Sequence, residues 1–164
     1  MSDVNYAENA ARQLQLRDKR VVFAESCTAG LAAARLACVP GISQWHCGSA
    51  VTYREATKIA WLDVRQATLS QHTAVSKETT LEMAIGVLAK TPEADVSVAI
   101  TGHLGPHAPE PLDGLVFIAV AMRNGSAIEI AQDWHFKLQS HSRVERQEEA
   151  ARLTLECLAE WLAE

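Results

Sequence analysis

The sequence has no apolar run near the roughly 18 residues of a membrane-spanning helix, so a helical membrane protein is excluded. It also has no basic excess: 15 Lys and Arg against 20 Asp and Glu leave a net charge of -5. Without a positive patch to neutralise phosphates, general nucleic-acid binding is excluded as well. The start, MSDVNYAENAARQLQ, lacks the basic-then-apolar pattern of a secretory signal, so a cytoplasmic location is expected. Cys27, Cys38, Cys47 and Cys157 form no CxxC pair and match no zinc spacing, which predicts free thiols. His46 beside Cys47, and His103 near His107, could share a metal if the fold joined them; solvated loop histidines are the simpler reading. There is no internal repeat, low-complexity tract or linker. With 164 residues, 48% of them hydrophobic, a single domain over 1–164 with a substantial core is expected.

What is present is organised around residues 20–30, RVVFAESCTAG. Val21, Val22, Phe23 and Ala24 predict a short buried strand. It breaks at Glu25-Ser26-Cys27-Thr28, and a small-residue helix is expected over 29–36. Ser26 and Thr28 stand where a helix N-cap is wanted. The turn would present two hydroxyls and a thiol beside free helix-start N–H groups, which favours an anion or a developing oxyanion. Simple capping by Ser26 or Thr28 explains the same residues, since most helix starts after strands bind nothing.

Upstream, 5–16 has helical spacing of Tyr6, Ala7, Ala10, Ala11, Leu14 and Leu16. Downstream, Pro40-Gly41 marks a turn. GSAVTY at 48–53 reads as a second strand, and 54–61 as a helical stretch carrying Lys58. The segment 64–75 reads as polar and irregular. Ser76 opens a capped helix that runs to Lys90 and is stopped by Pro92. DVSVAIT at 95–101 has the near-continuous apolar run of a strand covered on both faces. The loop 102–114, GHLGPHAPEPLDG, carries Pro106, Pro109 and Pro111. Loops directly after a buried strand are where α/β proteins place ligands, and a rigid surface turn is the alternative. Segments 115–122 and 127–136 form an expected hairpin with a type I′ Asn124-Gly125 join. A long amphipathic helix over 139–164 closes the chain. This order predicts an α/β fold: a three-layer α/β/α sandwich with a mixed, mostly parallel sheet of about five strands.

Three strand ends could converge, bringing together Ser26, Tyr53 with Lys58, and Thr101-Gly102. A serine nucleophile needs a base, and a lysine serves if burial or a positive neighbour lowers its pKa. A tyrosine hydroxyl can orient that lysine or pass a proton. Spacing alone is weak support, because a lysine on a helix is usually solvated.

The motifs AESCTAG, VPGIS, VTY with Lys58 beyond it, HTAVS and ITGHLGP occur in this order over nearly the whole chain. With them the chain resembles the C-terminal domain of the competence-damage-inducible protein A (CinA) family. The resemblance implies the activity of its stand-alone members, nicotinamide-nucleotide amidase. That reaction hydrolyses the carboxamide of nicotinamide mononucleotide to nicotinic acid mononucleotide and ammonia, with no metal or other cofactor. By position it implies Ser26 as nucleophile, Lys58 as its base and Tyr53 beside them. Backbone amides near Cys27 and Thr28 would face the oxyanion. Thr101, Gly102, Gly105 and Pro106 would line the nucleotide pocket. The substrate phosphate needs a cationic or amide partner. Arg143 and Arg146 are candidates by position, with surface ion pairing to Glu145, Glu148 and Glu149 as their alternative. A homo-oligomer is expected, from the resemblance and from Trp45, Trp61 and Trp134 taken as exposed aromatics.

The departures from the family pattern are local. Ala29 stands where the family has glycine, Arg54-Glu55 replace a polar Ser-Asn, and His107-Ala108-Pro109 replace the glycines of the pocket loop. Losing Gly-Gly stiffens that loop and removes an amide hydrogen. Two functions follow: an amidase of a pyridine nucleotide, or a non-catalytic or altered-specificity relative that binds a nucleotide or protein partner. A cavity still framed by 103–110 beside Ser26 and Lys58 favours the first; a cavity filled by His103, His107 or Pro109 favours the second.

Overall fold

The computed structural model describes residues 5–164. Residues 1–4, part of the stretch judged above for a signal sequence, lie outside the described residues. The elements run α1 (Asn5–Arg17), β1 (Val21–Glu25), α2 (Leu31–Ala37), β2 (His46–Val51) and α3 (Glu55–Leu62). They continue with α4 (Gln66–His72), α5 (Lys77–Ala89), β3 (Val96–Gly102), β4 (Leu115–Asn124), β5 (Ala127–Lys137) and α6 (Arg143–Ala163). The sheet has five strands in the order β2-β1-β3-β4-β5. β1 pairs in parallel with β2 and β3, while β3–β4 and β4–β5 are antiparallel. Four strands therefore point one way and β4 alone is reversed, which is the mixed, mostly parallel sheet expected.

Alternation along the central strands feeds both faces. Val21 and Phe23 pack with Leu14, Leu36, Leu155 and Leu158 beneath α1, α2 and α6. Val22 and Ala24 pack with Leu62, Leu69, Met83 and Leu88 beneath α3, α4 and α5. The second face is built of small residues, Ala24, Ala99, Ala119 and Ala121, so α5 lies close on the sheet. Ser97 Oγ reaches the Ala84 carbonyl at 2.7 Å, and the Thr80 and Thr101 hydroxyls meet at 2.8 Å. Gly86 is required where α5 meets α3, since a Cβ there would stand 1.9 Å from the Leu62 carbonyl oxygen.

Four local expectations are corrected. The segment 64–75 is not irregular: it contains α4, a helix too short to persist alone. Its start is held by α5, where Glu82 takes the Arg65 amide at 2.8 Å and the Thr68 hydroxyl at 2.6 Å. The hairpin turns on Gly125-Ser126, because Asn124 still pairs with Ala127. Only Gly125 has positive φ (61°) in that turn, the sign pattern of type II′ rather than I′. Trp45 and Trp134 are part-buried against the core, so of the three tryptophans only Trp61 is exposed. Finally, α2 begins at Leu31, because Ala29 (φ 51°) and Gly30 (φ 96°) turn left-handed before it.

Candidate active site

Parallel pairing aligns the carboxyl ends of β1, β2 and β3: Glu25 lies opposite both Val51 and Ile100. Whatever follows those strands therefore meets at one edge of the sheet. Ser26 follows β1, Thr52 and Tyr53 follow β2, and the 102–114 loop follows β3.

The turn after β1 is organised by Glu25, which is fully buried. One carboxylate oxygen accepts from the Thr28 hydroxyl (2.6 Å), the Gly30 amide (3.0 Å) and the Ala32 amide (3.1 Å). The other accepts from the Ala33 amide and the Ser49 hydroxyl, both at 3.0 Å. The helix-start donors expected to be free for an anion are thus already occupied by an internal carboxylate. Neither Ser26 nor Thr28 caps α2; the cap position is Gly30, which has no side chain to do so. Of the turn's amides, those of Cys27 and Thr28 face the Cys27 sulfur. Burial pushes the Cys27 thiol up to about 12, so it stays protonated and packed. Thr28 is fully buried behind Glu25 and off the cavity.

Ser26 meets Lys58 directly, with Nζ to Oγ at 2.9 Å. Lys58 reaches in from α3 with 1% of its surface exposed, and its Nζ also lies 2.6 Å from the Thr52 carbonyl and 3.4 Å from that of Tyr53. Burial lowers its pKa to about 8, while Cys27 and Glu55 act in the opposite sense. A neutral amine has two N–H donors and one lone pair. Lys58 Nζ donates to all three of these oxygens, and loss of one proton would leave two N–H groups for the carbonyls and turn a lone pair toward the Ser26 hydroxyl. Tyr53 contributes its carbonyl to the lysine. Its phenol, exposed and turned away, accepts from Arg143 Nη2 at 2.8 Å. The phenol therefore does not orient Lys58 as expected.

A cavity of about 360 Å³ opens over this pair, between Ser26, Cys27, Tyr53 and Lys58 on one wall and Gly102 to Pro109 on the other. His103, His107 and Pro109 line it without closing it. Gly102 is obligatory, since a Cβ would come within 2.4 Å of Val116 and 3.2 Å of the Cys27 sulfur. Gly105 and Arg143 also line the cavity, and Arg143 Nη1 donates to the Gly105 carbonyl at 2.6 Å. Burial lowers the His103 pKa, with Asp113 opposing. Two expected pocket residues are elsewhere. The Thr101 hydroxyl is spent on Thr80 beneath the sheet. Arg146 binds both Asp113 oxygens at 2.8 and 2.9 Å and the Leu104 and Ser140 carbonyls, so it holds the loop. A larger hollow of about 700 Å³ lies between Tyr6, Arg35 and the outer side of α6; it is lined by Ser140 but by no lysine.

Glu25 and Asp113 were not singled out from the sequence. The available signal for Glu25 was a carboxylate closing an apolar strand, since a buried charge demands partners. Among the described residues, no three His, Cys, Asp or Glu side chains group to hold a metal ion. No described helix is long and apolar enough to cross a membrane.

Comparison with known proteins shows the family and the fold. The family model described as CinA C-terminal domain matches residues 3–162. The crystal structure of competence damage-inducible protein A (ComA) from Klebsiella pneumoniae superposes with a TM-score of 0.89 at 30% identity, covering 100% of this chain and 99% of that one. The competence/damage inducible protein CihA from Agrobacterium tumefaciens gives 0.88 at 31% identity, covering 100% and 98%. A CinA-like protein of Chloroherpeton thalassium is 41% identical over 122 residues, 73% of this chain and 29% of its own length. The chain thus spans about three-tenths of the curated relatives it matches.

Proposed function

The chain belongs to the CinA C-terminal domain family, and from that premise we propose that it is a nicotinamide-nucleotide amidase working through a Ser26–Lys58 dyad. The observation that carries the reading is the 2.9 Å contact between the Lys58 amine and the Ser26 hydroxyl at the floor of an open cavity. Neutral Lys58 takes the Ser26 proton as Oγ attacks the carboxamide carbon. The Cys27 amide, whose residue lines the cavity, is the donor assigned to the developing oxyanion, while Thr28 lies off the cavity. Protonated Lys58 returns its proton to the departing ammonia, leaving an acyl-serine. Water, deprotonated by the same amine, then attacks the acyl carbon and releases the carboxylic acid and free Ser26. Each step conserves protons and needs no oxidant or metal.

Arg143 is the cation of the cavity suited to the substrate phosphate, and Arg146 is withdrawn from that role by Asp113. The loop departures are compatible with the enzyme reading, because the changed residues border the cavity and leave it open. A homo-oligomer belongs to the same reading, and a monomer by light scattering at micromolar concentration would reject that part. The deciding experiment is ammonia release from nicotinamide mononucleotide by the purified protein, with Ser26→Ala as control. Release that persists in the control, or is absent from the folded wild type, overturns the proposal.

A further inference from the structure

We infer that Glu25 is a positioning residue for the Ser26 nucleophile, acting through the turn it ties together and never touching substrate. The inference rests on the reading of Ser26 and Lys58 as nucleophile and base. Glu25 is fully buried and does not line the cavity. Its carboxylate nevertheless joins three separate pieces of the molecule. Thr28 and Gly30 belong to the turn that begins with Ser26, Ala32 and Ala33 to the first turn of α2, and Ser49 to β2. Ser26 is flanked by these ties. Its own amide is fixed to the Ile100 carbonyl at 3.1 Å, and its carbonyl receives the Ala29 amide at 3.0 Å. β2 in turn leads directly into Thr52 and Tyr53, whose carbonyls hold the Lys58 amine. One carboxylate therefore fixes the nucleophile's turn to the strand that delivers the base.

The placement favours positioning over mere stability. An apolar filler of similar volume would serve a core at lower desolvation cost. Five donors converging on one carboxylate instead specify a single geometry for a turn that includes a left-handed alanine, Ala29. Glu25→Gln keeps the shape but turns one acceptor into a donor. The new N–H₂ would then face either the Ala33 amide and Ser49 hydroxyl or the other three donors.

The test compares wild type, Glu25→Gln and Ser49→Ala by three readouts. These are kcat and KM for nicotinamide mononucleotide, the rate of Ser26 labelling by a fluorophosphonate, and the melting temperature. For Glu25→Gln, kcat and labelling should both fall about 10- to 100-fold, the scale of a misplaced reacting group. KM should stay within about twofold, since the substrate contacts remain. The midpoint of the pH–rate profile should not move. Ser49→Ala should show a smaller loss of the same kind with the fold retained, and it decides the matter if Glu25→Gln does not fold.

Unchanged kcat and labelling in the folded variants would overturn the inference. So would a loss that merely tracks the fraction of unfolded protein. A wild type that labels at Ser26 yet releases no ammonia defeats the amidase reading alone, and labelling in the variants then decides the role of Glu25. A wild type inert to both reagents overturns the two together, since no organised nucleophile would exist.

Discussion

On one wall of the cavity, Ser26 sits in a turn bound to two other elements by a fully buried carboxylate. On the other wall, the 102–114 loop is held largely by the part-buried ion pair of Arg146 with Asp113 and by Arg143 on the Gly105 carbonyl. Under the proposed dyad the first wall would place the reacting atoms, where small displacements are costly to rate. The second wall bounds the cavity, and loops tolerate change when the scaffold beneath is rigid. This contrast explains how the loop carries His107-Ala108-Pro109 while the Ser26–Lys58 contact stays intact.

If the division is real, damage to the first wall should appear in kcat and damage to the second in KM. The largest effect is expected for Ser26→Ala, where loss of a covalent nucleophile should lower turnover by several orders of magnitude with an unchanged circular dichroism spectrum. Turnover near wild type would remove the covalent step. Lys58→Met should be nearly as damaging, yet the folded protein should melt a few degrees higher. The sign follows from linkage. The folded pKa of about 8 lies below that of a free lysine, so the unfolded chain binds more protons across that interval. Stability then rises with pH through the window, and the full cost of burying the amine is present below about 8. A melting temperature lowered by the methionine would contradict this.

The same lysine sets the third expectation. Because the base must be neutral, kcat/KM should climb about tenfold per pH unit below about 8 and level off above it. A flat profile between about pH 6 and 9 would leave Lys58 without a role as base. On the second wall, Asp113→Asn weakens the grip of Arg146 on the loop. KM should rise severalfold with kcat within about twofold, as steady-state kinetics would show. A kcat loss larger than the KM change would erase the distinction between the walls. The smallest effect is expected for Ala29→Gly. Relief of a left-handed alanine, less the entropy of glycine, should stabilise by about 0.5–1 kcal/mol in urea unfolding, with activity unaltered.

Much of this molecule can be read along the chain. The alternating and continuous apolar runs define strands, Ser76 announces its helix by a local cap, and the order of elements implies a layered α/β sheet. Ser26 and Lys58 are legible as a pair through the family motifs that carry them. Such features depend on neighbours a few residues apart, so periodicity and turn chemistry reveal them.

The rest depends on contacts across long separations. The helix α4 exists because Glu82 and the core beneath Leu69 hold it, and its own residues read as loop. The start of α2 is occupied by Glu25 rather than left open for a ligand, and the Tyr53 phenol turns to Arg143 on another element. Arg143 and Arg146 are indistinguishable by sequence; Asp113 captures one and leaves the other facing the cavity. The lysine has a lowered pKa only because the sheet edge and α3 bury it. Charge, capping and pKa are settled by which groups meet in space, and a linear pattern records only which groups are available to meet.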